Sequence, residues 1–553
     1  MQRVLLRRRG SAVDITEHSD DGSAAATRIP VEELPAVVAE REAAPAPVRW
    51  VWDDTTRWYP ALLAAGARVE RCTDLRLSHV LLRRSPFADQ ALLVGGDTAG
   101  WDALQPVAAA DPALFPPADP ADLLDPAAEH RRQQAALAAS PRRDRLALLL
   151  AAESAGALVA AEMTYTGLPW RADVHERLLT ALLGPRPVAG GRPAVLERLL
   201  GEIRAALGAP LLNPDSPAEL LRALQQAGLP VADTRSWSLA QLDHPVIPAL
   251  LEYKKLMRLL TANGWSWLET WVQEGRFRSS FLPGGVVTGR WASTGGGALS
   301  VPTLIRPAAV ADDGWRFVVA DVAQLEPRVL AGMSADTAMA EAARASDLYE
   351  GMVAGGAVAS RAEAKLGILG AMYGGTRGES GRMMPRLTRR YPRAIGLVEE
   401  AARAGERGEV VHTLLGRGAP SPTGAWAQRA VELGEPAEQA GSRGDRDRAR
   451  RAWGRFTRNF VVQGTGAEWA LCWMADLRNR LWRLGGAGSP AERPHLAFFL
   501  HDEVVVHAPE HLADDVVEVV RAAASTAGRL LFGAFPVDFP LDVAVVRSWA
   551  DAG

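Results

Sequence analysis

Residues 498–509, FFLHDEVVVHAP, constrain this chain more than any other stretch. Two short apolar runs flank His501-Asp502-Glu503, so the segment predicts a hairpin with a carboxylate pair at its tip. A second apolar strand, FVVADV, ends at Asp321 and passes within a few residues into a helical run, QLEPRVLAGMS, where Pro327 suits a first turn. A third segment, RAEAKLGILGAMYGG (361–375), sets Arg361, Lys365, Leu369 and Tyr373 at steps of four. Each such step drifts only about 40° around a helix, so the four share one slowly winding face.

One chemistry joins the three segments. Carboxylates at two strand ends, far apart in sequence, can hold two divalent cations that activate an attacking hydroxyl and stabilise a leaving pyrophosphate. A helix face with an Arg and a Lys one turn apart grips a triphosphate, and an aromatic two turns beyond the Lys can stack on a base. Magnesium suits such a site, because it binds through few carboxylates plus substrate phosphates, and Mn²⁺ could substitute. Taken singly, Asp321 is a strand-end turn residue, Asp502-Glu503 an exposed tip and the basic helix a solvated face. Their combination in this order favours the site.

Composition sets the bounds. The chain has 553 residues, enough for three or four domains, and its 48% hydrophobic and 23% charged content is that of a globular protein. Two cysteines, Cys72 and Cys472, exclude a disulfide framework and a Cys-based zinc cluster. The net charge of −3 means that any polyanion-binding surface must be local. Of 62 basic residues only Lys254, Lys255 and Lys365 are lysines. No secretory signal is expected. The most apolar stretch, LALLLAAESAGALVAAEM, carries Glu153 and Glu162, so it reads as a buried helix and not a membrane span. The default location is cytoplasmic.

Along the chain, residues 1 to about 100 read as a small α/β unit with strand-like RVLLRR, VRWVW and HVLLRR and a helical WYPALLAAG. The Ala/Pro/Asp-rich stretch 105–143 reads as a linker. From about 143 to 275 the periodicity is helical, and NPDSPAEL supplies an N-cap at Ser216 with Pro217 at the first helical position. Parts of 418–450 look disordered.

The three segments resemble the motifs of family A DNA polymerases, the DNA polymerase I type. Asp321 to Ser334 resembles motif A, D-Y-S-Q-I-E-L-R, with Gln324, Glu326 and Arg328 matching and Val322 and Pro327 departing. Residues 361–374 resemble motif B, R-x3-K-x7-Y-G, and 501–503 resemble motif C, H-D-E. Thr288-Gly289-Arg290, Arg455, Asn459, Gln463-Gly464-Thr465, NPDSP and EYKKL (252–256) add to a resemblance that covers roughly 145–553.

The resemblance implies a multidomain α+β right-hand fold, with an antiparallel palm sheet and helical thumb and fingers, preceded by a small α/β exonuclease-like domain. The expected divisions are 1–125 exonuclease-like, 126–280 connecting helices and thumb, 281–340 palm, 341–450 fingers and 451–553 palm. It implies template-directed addition of dNTPs to a primer 3′ end, in repair or gap-filling replication, by a monomer at the nucleoid. Asp321 and Asp502 would bind two Mg²⁺ ions, with Glu503 close by. Arg361 and Lys365 would hold the triphosphate, and Lys365 could protonate the pyrophosphate. Gln324 and Tyr349 would lie in the dNTP site. Tyr373 would meet the templating base, and Glu326 would act as a steric gate against a 2′-hydroxyl. Arg290, Arg455, Asn459, Gln463, His501, Lys254 and Lys255 would contact primer–template DNA.

Three departures stand out: Leu369 where Phe or Tyr is usual against the sugar, Gly295-Gly296-Gly297-Ala298-Leu299-Ser300 in place of a more polar stretch, and Tyr349 where His is common. Residues 377–393 carry six Arg against Glu379, and 443–458 seven Arg against Asp445 and Asp447, as phosphate tracking would need. Residues 48–85 resemble the middle of a 3′–5′ exonuclease domain, with Asp74 a candidate remnant. Its D-x-E strand motif is missing, since Asp14 and Glu17 have another spacing, as is its Tyr-x3-Asp, so no proofreading is expected. The rival readings are an active proofreading enzyme, a non-catalytic DNA-binding relative, and a single-subunit RNA polymerase, which Glu326 disfavours.

Overall fold

The computed structural model describes residues 2–18, 24–104, 124–375, 378–422 and 443–553. The chain forms two compact units: Met1–Thr166 with Phe281–Ala292 and Val318–Val545, and Gly167–Ser280 with Ser293–Phe317 and Val546–Gly553. The fold is α+β throughout.

The N-terminal part of the first unit is a five-stranded sheet. Strands β1 (Gln2–Arg9), β2 (Ala12–His18) and β3 (Ala24–Pro30) form an antiparallel meander, and β4 (Val48–Trp52) and β5 (Cys72–Asp74) extend it in parallel, in the order β3-β2-β1-β4-β5. Alternation explains the faces: Val4, Leu6, Val13, Ile15, Trp50 and Trp52 enter one core with Tyr59 and Leu62, while Leu5 and Val51 enter another with Trp101. The RVLLRR and VRWVW strands and the WYPALLAAG helix (Thr55–Ala64) are as the sequence predicts. HVLLRR is not a strand. It lies in the helix Leu75–Arg84, because Asp74 caps the helix by accepting from Leu77 N, and Leu75, Ser78, Leu81 and Leu82 bury one helical face.

The linker reading fails at its end as well. Residues 105–123 lie outside the described residues, but Pro126–Ala139 is a helix with Asp125 as its cap. It is held by a network around buried His79 and Glu129: His79 Nδ1 meets Glu129 at 2.8 Å, His79 Nε2 meets Asp102 at 2.9 Å, and Arg132 binds both Glu129 and Asp97 at 2.7 Å. The helix Arg143–Thr166 is long and apolar enough to cross a membrane, but most of that apolar window is buried, and Glu153 and Glu162 are ion-paired: Glu153 to Arg417 at 2.6 Å and Glu162 to Arg478 at 2.9 Å. The sequence reading grouped this helix with 126–280; it falls in the first unit. The disordered-looking stretch is divided: 423–442 lie outside the described residues, while 443–450 begin the long helix Arg443–Leu484.

A four-stranded sheet positions the site, in the order His495–Leu500, Glu503–Pro509, Trp315–Val322, Leu541–Val546. The hairpin pairs Leu500 with Glu503 and Phe499 with Val504, and His501 turns the chain with φ 61°. In the second unit, Ser216 caps Pro217–Gln226 as expected. There the Gly295–Gly297 run lies on an aromatic cluster. Trp267 Nε1 donates to Gly296 O at 2.7 Å, and Phe277 stands where a β-carbon on Gly296 would go, so packing selects glycine over polar side chains.

The His79 network makes stability pH-dependent. Burial disfavours the charged imidazole, but the bonds to Glu129 and Asp102 outweigh it and raise the His79 pKa. A raised folded-state pKa stabilises fully below the unfolded value of about 6.5 and fades as pH rises through the folded value. The thermal midpoint gap between the parent and His79→Gln is therefore expected to be largest near pH 6 and to shrink toward pH 9; a gap constant across that range would refute the paired imidazolium.

Candidate active site

Asp321 closes its strand beside the hairpin tip. Val322 N, one residue beyond Asp321, donates to Asp502 O at 3.1 Å, so the strand end that carries Asp321 lies against the hairpin turn that carries Asp502. The tip is tight, with Asp502 N bonded to Leu500 O at 2.8 Å. Asp321, Asp502 and Glu503 are half-buried, and His501 is exposed. Burial pushes the Asp502 carboxyl above its ordinary range, and its own backbone amide, His501 and Arg290 offset this only in part. A half-buried acid with too little positive charge around it suits a cation. Among the described residues no group of three or more His, Cys, Asp or Glu forms a closed cage, so a cation held by this pair would fill its remaining positions with water or substrate oxygens.

The helix Arg361–Tyr373 presents the predicted face. Ser360 caps it, accepting from Glu363 N, and Ala364, Gly367, Ile368, Ala371 and Met372 are buried. Arg361, Lys365 and Tyr373 are exposed and Leu369 is half-buried between them. Arg361 binds Asp347 at 2.8 Å, and its guanidinium lies 5.6 Å from the centre of the Tyr349 ring, which brings Tyr349 to the Arg361 end of the face.

Glu326 is the hub. Its carboxylate pairs with Arg290 and accepts from the Tyr373 hydroxyl at 2.6 Å. Burial and the Glu326 charge push Tyr373 up to about 12, so the phenol stays a donor, while a bond with Gln463 works the other way. The structure thus gathers Arg290, Glu326, Tyr373 and Gln463. Arg455, Asn459 and Gln463 follow at steps of four on the helix Arg443–Leu484, and Arg455 packs against Gly374. Gln324 is committed to structure: its amide oxygen accepts from Leu348 N at 3.0 Å. Lys254 and Lys255 lie on the helix Val246–Asn263 of the second unit, with Lys255 3.4 Å from Glu252. Of the basic clusters, Arg377 and the side chains of 443–446 lie outside the described residues, while Arg382, Arg386, Arg389 and Arg390 are exposed on the helix Gly378–Arg390 and Arg448, Arg450 and Arg451 are exposed on the long helix.

Sequence reasoning missed the supports. Asp347 caps the helix Leu348–Ala354 and orients Arg361. Arg328, matched as a motif residue without a role, is fully buried on backbone carbonyls. Glu153 and Arg417 form a buried ion pair 264 residues apart. Charges in apolar runs were the only signal for such partners, and sequence alone does not pair them.

Residues 194–551 match the sequence model of DNA polymerase family A. Over 402 residues the chain is 28% identical to the thermostable DNA polymerase I of Thermus filiformis, a match covering 65% of this chain and 44% of that protein. It is 26% identical over 443 residues to the thermostable DNA polymerase I of Thermus aquaticus (68% and 48%) and 25% identical over 382 residues to DNA polymerase I of Pseudomonas aeruginosa (62% and 38%). The chain thus spans less than half the length of these relatives. Among solved structures, the POL domain of Pol1 from M. smegmatis, in complex with DNA primer-template and dNTP, superposes with a TM-score of 0.69 over 99% of this chain and 95% of that one. The identity there is 20%, so the likeness is one of fold.

Gly374, which ends the Arg361–Tyr373 helix, has φ 81°, and a β-carbon there would stand 2.6 Å from Arg455 Cγ. Gly374→Ala is expected to destabilise by roughly 1–2 kcal/mol from the left-handed backbone alone. Gly396→Ala, in open space on the helix Pro392–Glu406, is expected to stabilise by roughly 0.5–1 kcal/mol. Shifts of opposite sign in thermal unfolding test the pair.

Proposed function

The chain belongs to DNA polymerase family A, and from that premise we propose that it extends a primer 3′ end on a DNA template, adding dNTPs by nucleotidyl transfer. The observation that carries this reading is the pair Asp321, near the end of its strand, and Asp502, in the neighbouring hairpin turn, together with the Arg361/Lys365/Tyr373 helix face whose Tyr373 is bonded to Glu326. Asp321 and Asp502 would hold two Mg²⁺ ions, which when bound activate the primer hydroxyl and neutralise the leaving pyrophosphate. Arg361 and Lys365 bind the triphosphate, and Lys365 gives the leaving pyrophosphate a proton. Glu326 lies beneath the sugar, fixed from two sides by Arg290 and Tyr373, so a 2′-hydroxyl meets a carboxylate that cannot swing away. Arg290 and Gln463 read minor-groove acceptors at the primer end, which every base pair presents. In this reading the His495–Leu500 sheet is the palm, the helices from 348 to 406 belong to the fingers, the second unit holds the thumb, and the protein acts as a monomer on chromosomal DNA in the cytoplasm, in repair or gap filling.

We further propose that it does not proofread. The acids nearest the ends of β4 and β5 are engaged in holding the fold: Asp53 with Arg57 and Trp58, Asp54 with Thr56 N and Arg76, and Asp74 with Thr55 N at 2.7 Å and Leu77 N at 2.9 Å. Burial and Asp54 raise Asp74 to about 6, the mark of an acid sunk in the core.

Primer extension with Mg²⁺ on a 5′-labelled primer–template tests both statements. The parent should lengthen the primer with dNTPs and leave it intact without them. Asp321→Ala and Asp502→Ala should abolish extension while primer–template affinity is kept; extension by both variants would remove the metal assignment, and shortening without dNTPs would remove the second statement. Separately, Glu326→Ala should raise ribonucleotide incorporation relative to dNTP by about tenfold or more, the equivalent of about 1.4 kcal/mol of lost repulsion. An unchanged ratio in competition assays would place the gate elsewhere.

A further inference from the structure

Behind Arg290 lies a buried assembly that the catalytic reading leaves unused. Arg417 sits on the turn 412–418, where Thr413 N donates to Arg417 O at 3.0 Å and Arg417 N donates to the Thr413 hydroxyl at 2.9 Å. Its guanidinium binds Glu153 at 2.6 Å, with both side chains almost fully buried. It also packs directly on the turn that ends in Arg290: a β-carbon on Gly289 would stand 2.6 Å from Arg417 Nε, and one on Gly284 would strike Glu153 Oε1. Gly464, next to Gln463, is equally close to this turn, with Thr288 O 2.9 Å from where its β-carbon would lie. The hydroxyl of Thr413 donates to the Glu468 carboxylate, which also accepts from Leu415 N at 3.1 Å, so the 412–418 turn is fastened to the long helix.

The N-terminal domain docks on the other side of the same turn. Ser85 Oγ donates to Gly416 O at 2.8 Å, the Phe87 ring meets the His412 ring edge-on at 4.7 Å, and Gly418 lies against Arg84 O with no room for a side chain. Two buried polar atoms here, Arg417 Nε and Thr288 Oγ1, have no partner among the described residues. Leaving such atoms unsatisfied is unfavourable, and an apolar residue at 417 would fill the space without it. A guanidinium pressed on the backbone of the residue before Arg290 instead sets where that backbone lies.

We propose that Arg417 is a positioning residue for reading the primer terminus: clamped by Glu153 and carried on a turn that the N-terminal domain holds, it fixes Thr288-Gly289 so that Arg290 and Gln463 reach the minor groove together. This gives the nuclease-like domain a part in synthesis that needs no carboxylate of its own. The inference rests on the role given to Arg290 above.

The test is a double-mutant cycle in the full-length protein, reading kcat and KM for extension of matched and mismatched primer ends together with primer–template affinity. Arg417→Ala should lower matched extension about tenfold, leave mismatched extension nearly unchanged and keep affinity within about twofold, because a small misplacement of a contact residue acts on the oriented complex. Arg417→Lys should recover part of the loss, and Glu153→Gln and Phe87→Ala should give smaller losses of the same kind. In an Arg290→Ala background, Arg417→Ala should add nothing further. Additive losses, or an unchanged matched-to-mismatched ratio in folded Arg417→Lys and Glu153→Gln proteins, would overturn the proposal. If Arg290→Ala itself leaves the ratio unchanged, the role of Arg290 fails; if Arg290→Ala lowers it but the Arg417 variants do not couple, only the positioning of Arg290 by Arg417 fails.

Discussion

The guanidinium of Arg328 holds together the parts on which everything else rests. It is fully buried and donates to Ala323 O at 2.8 Å, Asp538 O at 3.1 Å, Ala345 O at 3.0 Å and Ser346 O at 2.9 Å, with Ala343 O as a further acceptor. These carbonyls belong to the end of the Asp321 strand, the turn before Asp347 and the approach to the last strand of the sheet. Burial pulls the Arg328 pKa down to about 10, with Asp538 and Asp347 offsetting part of the loss, so the group remains a cation at neutral pH. A planar fork with five donors suits an array of carbonyls; a lysine could not span it. Removing the side chain would leave several buried acceptors without donors.

From that knot the geometry propagates by short steps. Asp347 follows the bound turn, caps its own helix and holds Arg361. Gln324, one helical turn before Arg328, takes up a left-handed conformation at φ 50° and binds Leu348 N, which fixes the start of the helix that carries Glu326. Glu326 then joins Arg290 on one side to Tyr373 on the other. The exposed residues at the site are therefore placed by buried polar ones, and the arginine-rich composition has a structural meaning: many of the guanidiniums are spent on carbonyls and buried acids within the fold.

The N-terminal domain makes the same point in reverse. Its sheet and core are intact, with Trp50, Trp52 and Tyr59 fully buried, while Asp53, Asp54 and Asp74 are bound to arginines or helix ends. A domain keeps its fold through its apolar core and caps, and here these acids serve the caps and ion pairs that hold it.

What the sequence determined by itself was local and periodic. The alternation in RVLLRR and VRWVW, the step-of-four face from Arg361 to Tyr373, the Ser216 cap and the His501-Asp502-Glu503 hairpin tip all follow from residue spacing and backbone preference, which act over a few residues. HVLLRR was misread because a short apolar run fits either period, and the cap at Asp74 together with burial of one face decided for helix. The linker reading of Pro126–Ala139 failed because the buried partner of its Glu129 is His79, some fifty residues away. That Asp321 and Asp502 meet was expected from the three segments taken together, and the sheet order supplies it; tertiary structure alone decided that Glu326 has two partners and that Arg417 meets Glu153. Pairings of that kind depend on which buried charges meet when distant segments pack, and desolvation makes each pairing obligatory only once the core has closed around it.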